Sequence, residues 1–98
     1  MKFLVIAKSR GIPPPKNYLE LVTAAKKWTE SQKASGKIDC AYNFADGGGG
    51  VAIVDLESLE EMYELLMAYP LSSFFKWKTK PLVEIEWALT KSIEALKG

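Results

Sequence analysis

Histidine is absent from this 98-residue chain, and cysteine occurs once, as Cys40. A lone thiol cannot close an intrachain disulfide, and without imidazole there is no zinc or haem site of the usual kind. No metal or cofactor is therefore expected. Charge of one sign is also missing. Thirteen Lys and Arg against twelve Asp and Glu leave +1, so no whole-domain field draws nucleic acid or an anionic membrane. Long apolar runs are lacking as well: the run from Phe3 to Ala7 ends at Lys8 after five residues. That is too short for a signal-peptide core or a membrane span. A first strand in a cytoplasmic protein is the expectation.

Apolar residues, in contrast, are abundant. They make up 48% of the chain against 26% charged, more than a sphere of this size can bury. A single domain over residues 1–98 hides only roughly 60 to 68% of its unfolded surface, so an apolar face covered by a second subunit is expected.

The chain is organised around residues 46–71. Asp46 and the four glycines Gly47 to Gly50 supply a turn, Val51 to Asp55 reads as a β-branched strand, and Ser58 with Glu61 has the spacing of a capping box. Leu59, Met62, Tyr63 and Leu66 then recur at helical spacing up to Pro70-Leu71. A glycine-rich turn invites a phosphate-binding reading. A P-loop, however, needs a Lys-Ser/Thr pair and an immediate helix, and a strand comes next instead.

Before this centre, Phe3 to Lys8 reads as a central strand, and Pro13-Pro14-Pro15 forces a stiff connection. Asn17 and Glu20 repeat the capping spacing. Tyr18, Leu21, Val22, Ala25 and Trp28 line a helix that runs to about Ala34 and stops at Gly36. Ile38 to Phe44 alternates, with Ile38, Cys40, Tyr42 and Phe44 on one face and Asp39, Ala41 and Asn43 on the other. It forms a hairpin with the strand after the glycines.

After the centre, Phe74 to Trp87 reads as a long edge strand bent at Pro81, with Phe75, Trp77 and Thr79 on one side. Lys76, Lys78 and Lys80 on the other protect an edge against aggregation. Leu89, Ser92, Ile93 and Leu96 mark a final helix with Thr90 as its cap. The order βαββαβ plus a terminal helix predicts an α+β, ferredoxin-like domain with an antiparallel four-stranded sheet, helices on one face and the other face bare. Two such sheets face to face would make a dimeric α+β barrel.

Gly36-Lys37, the hairpin, the run from Val54 to Glu61, Leu65, Pro70-Leu71 and Pro81-Leu82 together resemble the muconolactone isomerase family. The resemblance implies a ferredoxin-like protomer in a homodimer or larger assembly, a cavity for a small apolar molecule, and cofactor-independent proton transfer. The position resembling the family's histidine is Cys40. True muconolactone isomerase activity is therefore not expected, and the segment from Val83 to Gly98 belongs to this branch alone.

Without histidine, proton transfer falls to carboxylates, tyrosine, lysine or Cys40. Glu84 and Glu86 would share one side of an apolar strand: if that side walls the cavity, desolvation and mutual repulsion suit one of them to act as a general base, and if it faces outward they are solvated charges. Tyr42 would donate to a developing enolate. Trp28, Asp39, Cys40, Asn43, Phe75 and Trp77 are the candidate substrate-binding residues, with Trp87 at a subunit interface. Three readings compete: an isomerase or cyclase of apolar carbonyl or lactone compounds, a noncatalytic small-ligand-binding dimer, and a cofactor-free oxygenase.

Overall fold

The computed structural model describes residues 1–98. Its strands are β1 (Lys2–Ser9), β2 (Ile38–Asn43), β3 (Gly49–Asp55) and β4 (Phe75–Leu82). Its helices are α1 (Tyr18–Ala34), α2 (Leu59–Ala68) and α3 (Ile85–Leu96), and a single 3-10 turn covers Ser72–Phe74. All strand pairs are antiparallel and the sheet order is β2-β3-β1-β4. This is the expected ferredoxin-like βαββαβ order with an added C-terminal helix. No helix is long and apolar enough to cross a membrane.

Local chemistry accounts for most of the element ends. Gly36, at φ +83°, closes α1: its N–H donates to the Lys33 carbonyl while Lys37 N–H reaches back to Gln32, which satisfies two otherwise orphaned carbonyls. At the start of α2 the Ser58 hydroxyl accepts from Glu61 N–H at 3.1 Å, and the Glu61 carboxylate accepts from Glu57 N–H at 3.1 Å. Asn17 does not cap α1 as its spacing suggests. Its φ of −91° and ψ of 21° are not the extended geometry that lets a side chain fold back. In the hairpin turn Gly49 has φ +140°, and a Cβ there would fall on the Ala7 carbonyl oxygen of β1. One of the four glycines is thus demanded by contact with β1 as well as by the turn.

The core lies between the sheet and α2. Phe3, Val5, Ile38 and Val54 from the strands meet Leu56, Met62 and Leu65, with Trp28 and Leu66 against them. Burying each such side chain stabilises the fold by about 1.5–3 kcal/mol. The apolar face of α2 is rotated from expectation: Met62 and Leu65 are buried, whereas Leu59 and Tyr63 face solvent.

Two further expectations are corrected. First, β2 carries a bulge: Ile38 pairs with Val54 and Cys40 with Ile53, leaving Asp39 as the extra residue. One inserted residue moves the rest of the strand to the other side of the pleat. Ile38 therefore joins Ala41 and Asn43 on the helix-covered face, and Cys40 and Tyr42 occupy the bare one. Second, the strand ends at Leu82, so Val83 to Trp87 is not strand. The residues from Ile85 onward also fit a helical repeat, and α3 begins there. Thr90 lies inside it, donating to the Glu86 carbonyl.

The bare face of the sheet presents half-buried Leu4, Ile6, Val51 and Ile53 with exposed Tyr42. Helix α3 projects from the body without a buried residue. The molecule consequently measures 62 × 28 × 23 Å, with a radius of gyration of 16.4 Å, against about 13 Å for a compact chain of this length.

Candidate active site

The sheet is hollow on its helix-covered side because small residues stand together there. Ala41 pairs with Ala52, Ala52 with Val5, and Gly50 with both Asn43 and Ala7. A Cβ on Gly50 would collide with the Tyr42 carbonyl. Over this floor Trp28 and Thr29 lean in from α1, Leu65, Leu66 and Tyr69 from the end of α2, and Phe75 and Trp77 from β4. They line a partly open cavity of about 480 Å³, within the usual range for a small-molecule site.

Its walls are aromatic. The Tyr69 ring centroid lies 5.2 Å from Trp28, 5.9 Å from Trp77 and 6.5 Å from Phe75, and Phe75 sits 5.7 Å from Trp77. Tilted and edge-on rings at these separations attract one another beyond simple burial. The Trp77 indole N–H donates to the Ser72 carbonyl at 3.1 Å, which fixes that ring. Tyr69 is held by the backbone, since Pro70 ends the helix behind it and its carbonyl accepts from Ser72 N–H at 2.9 Å. Burial, helped by the nearby Tyr18, pushes the Tyr69 hydroxyl above the ordinary tyrosine pKa. The group thus stays a proton-bearing donor through the physiological range.

Of the residues singled out from the sequence, the fold brings Trp28, Asn43, Phe75 and Trp77 to this cavity; Tyr42 borders it only through its backbone carbonyl beside Gly50, and its ring, on the bare face, is not placed to donate into it. The others lie elsewhere. Cys40 occupies the bare face of the sheet. Asp39, at the bulge, is tied to Lys2, 2.6 Å from its ammonium. The hydrogen bond to Asp39 and its charge, with smaller contributions from Asp55 and Glu84, hold the Lys2 pKa above its ordinary value. Glu84 and Glu86 do not share a strand face: Glu84 stands at the N-cap of α3 and Glu86 in its first turn, both in solvent. The cavity of a single protomer is lined by no carboxylate and no lysine. No group of three or more His, Cys, Asp or Glu side chains is placed to hold a metal ion.

Sequence reasoning missed Tyr69 and the small-residue floor. The helix-ending Tyr69-Pro70 pair was a usable signal, because a proline stop fixes where the preceding side chain can stand. The alanines carry no signal until the strand register aligns them.

Solved structures share this fold. Muconolactone isomerase, determined at 3.3 Å, superposes with a TM-score of 0.76 at 20% identity, over 86% of this chain and 90% of its own. The 5-chloro-2-hydroxyhydroquinone dehydrochlorinase TftG of Burkholderia phenoliruptrix AC1100, in complex with 2,5-dihydroxybenzoquinone, superposes with a TM-score of 0.67 at 20% identity, over 86% of this chain and 95% of its own. A comparison with curated proteins gave no match. The family model described as muconolactone delta-isomerase matches residues 1–86, everything up to the first turn of α3, and the chain belongs to that family.

Proposed function

We propose that this chain is an isomerase-like small-molecule protein that takes an apolar carbonyl or lactone compound into the aromatic cavity. Acting as an enzyme, it would move a proton without a cofactor. The observation that carries the reading is the 480 Å³ hollow under Trp28, Tyr69 and Trp77 in a member of this family. Within that cavity Tyr69 is the candidate donor to a developing enolate oxygen, the role expected of Tyr42, while the solvent-facing Glu84 and Glu86 leave the wall without a carboxylate base. A preorganised donor in a dry site stabilises such charge far better than water does.

The absence of a lining carboxylate favours a second reading, a noncatalytic binder of the same shape. Turnover separates the two. The chain is incubated with planar unsaturated lactones and cyclic enones, and products are followed by NMR in deuterated water. Isomerisation or deuterium incorporation supports the enzyme. Saturable binding with the compound returned unchanged supports the binder, and no binding at all contradicts both.

We also propose that the chain acts in the cytoplasm as a homodimer or larger homo-oligomer, with the bare sheet face and α3 as its contact surfaces. At 100° per residue Ile85, Leu89, Ile93 and Leu96 fall along one side of α3, and each is more than half exposed. A 12-residue helix without tertiary support is marginal in water, so this stripe needs a surface. The bare face offers apolar residues flanked by Lys76, Lys78 and Lys80, complementary to Glu84 and Glu86 at the root of the helix. Sedimentation velocity at micromolar concentration tests this: a dimer or larger species supports it, and a folded monomer contradicts it.

A further inference from the structure

We infer that the cavity selects uncharged planar ring compounds and discriminates against the same rings carrying a carboxylate. This rests on the binding reading above and narrows its ligand class. The polar side chains of the cavity wall are all neutral: the hydroxyls of Thr29 and Tyr69, the Asn43 amide, and two indole N–H groups, while Tyr42 borders the cavity through its backbone, its ring lying on the bare face. Two are already engaged, since the Thr29 hydroxyl donates to the Ala25 carbonyl at 2.8 Å and the Trp77 indole to the Ser72 carbonyl.

An ionised carboxylate brought into such a space loses its hydration and meets no cation. Burying an unpaired charge among aromatic and aliphatic walls is unfavourable even when a single neutral donor reaches it. The lysines of the sheet do not help. Lys76, Lys78 and Lys80 alternate with Phe75, Trp77 and Thr79 along β4, so they project from the opposite face. A neutral ring, in contrast, stacks against Trp28, Tyr69 and Trp77, and a ring carbonyl or hydroxyl is served by the Tyr69 hydroxyl or the Asn43 amide. The raised pKa of Tyr69 agrees with this, because the environment that disfavours a phenolate disfavours a ligand carboxylate for the same reason.

The test uses two probes of nearly identical shape, 6-hydroxy-2-naphthamide and 6-hydroxy-2-naphthoate, measured by equilibrium dialysis against the full-length chain at pH 7. The amide is expected to bind at least ten-fold more tightly. A Thr29→Lys variant, which adds a cation to the wall contributed by α1, is expected to reduce that ratio or reverse it. Equal binding, or tighter binding of the naphthoate to the unaltered chain, would overturn the charge discrimination while leaving the pocket as a binding site. Binding of neither probe, nor of any lactone or enone, would overturn the binding reading and this inference with it.

Discussion

Ala41 and Ala52 stand directly opposite each other across β2 and β3, on the side of the sheet turned toward the helices, and the cavity exists because neither fills it. Replacing Ala52 by Leu puts a branched side chain into the hollow beneath Trp28 and Tyr69. Ligand binding in calorimetry is expected to fall below detection. The melting temperature should move only a few degrees, since an added side chain that meets empty space costs less than the roughly 1–3 kcal/mol of overpacking a filled core.

Tyr69→Phe keeps the ring that packs, tilted and edge-on, against Trp28 and Trp77 and removes only the hydroxyl. Affinity for a neutral carbonyl ligand should drop about five- to ten-fold, the worth of one hydrogen bond of about 1–1.4 kcal/mol, while an analogue without the carbonyl should bind both proteins alike. If the protein turns substrate over, the variant should lose rate as well.

The same residue gives a pH dependence with a defined sign. A tyrosine whose pKa is higher folded than unfolded holds its proton more tightly in the native state, so its contribution is complete below about pH 10 and is lost as pH rises beyond that. Lys2, also raised, acts in the same direction. Urea denaturation between pH 8 and 11 should show stability falling with pH, and Tyr69→Phe combined with Lys2→Met should flatten the fall.

Leu89→Glu with Ile93→Glu places two charges on the exposed stripe of α3, and removal of residues 84–98 deletes the helix. Neither change touches the core of Phe3, Val54 and Leu56, so far-UV circular dichroism should report an intact sheet in both. Sedimentation velocity should show assembly weakened in each, and Trp87 fluorescence in the double variant should shift toward the red.

How legible the molecule is from sequence differs from element to element. The Ser58 to Glu61 cap, the Gly36 stop and the alternation of lysines with aromatics on β4 are local signals, set by residues within a turn of one another, and the structure keeps all three. Asp39 defeats the face assignment of β2, because a bulge depends on the partner strand and leaves no mark in alternation. Val83 to Trp87 alternates as a strand does, while Ile85 with Leu89, Ile93 and Leu96 fits a helical period, so pattern alone does not separate strand from helix there. That ambiguity is why Glu84 and Glu86 read as a catalytic pair. Trp28, Phe75 and Trp77 are recoverable because large rings in a small domain must line something. Tyr69 is marked only by the proline stop after it, and the alanine floor not at all, since a cavity is defined by the space that several distant segments leave unfilled.

The most direct measurement is a crystal structure of the chain soaked with a neutral planar lactone or quinone. Ligand density between Trp28, Tyr69 and Trp77, above Ala41 and Ala52, is the expected result. Density confined to the opposite face of the sheet around Cys40 and Tyr42, or a cavity filled by the collapsed side chains of Trp28 and Leu66, would contradict it.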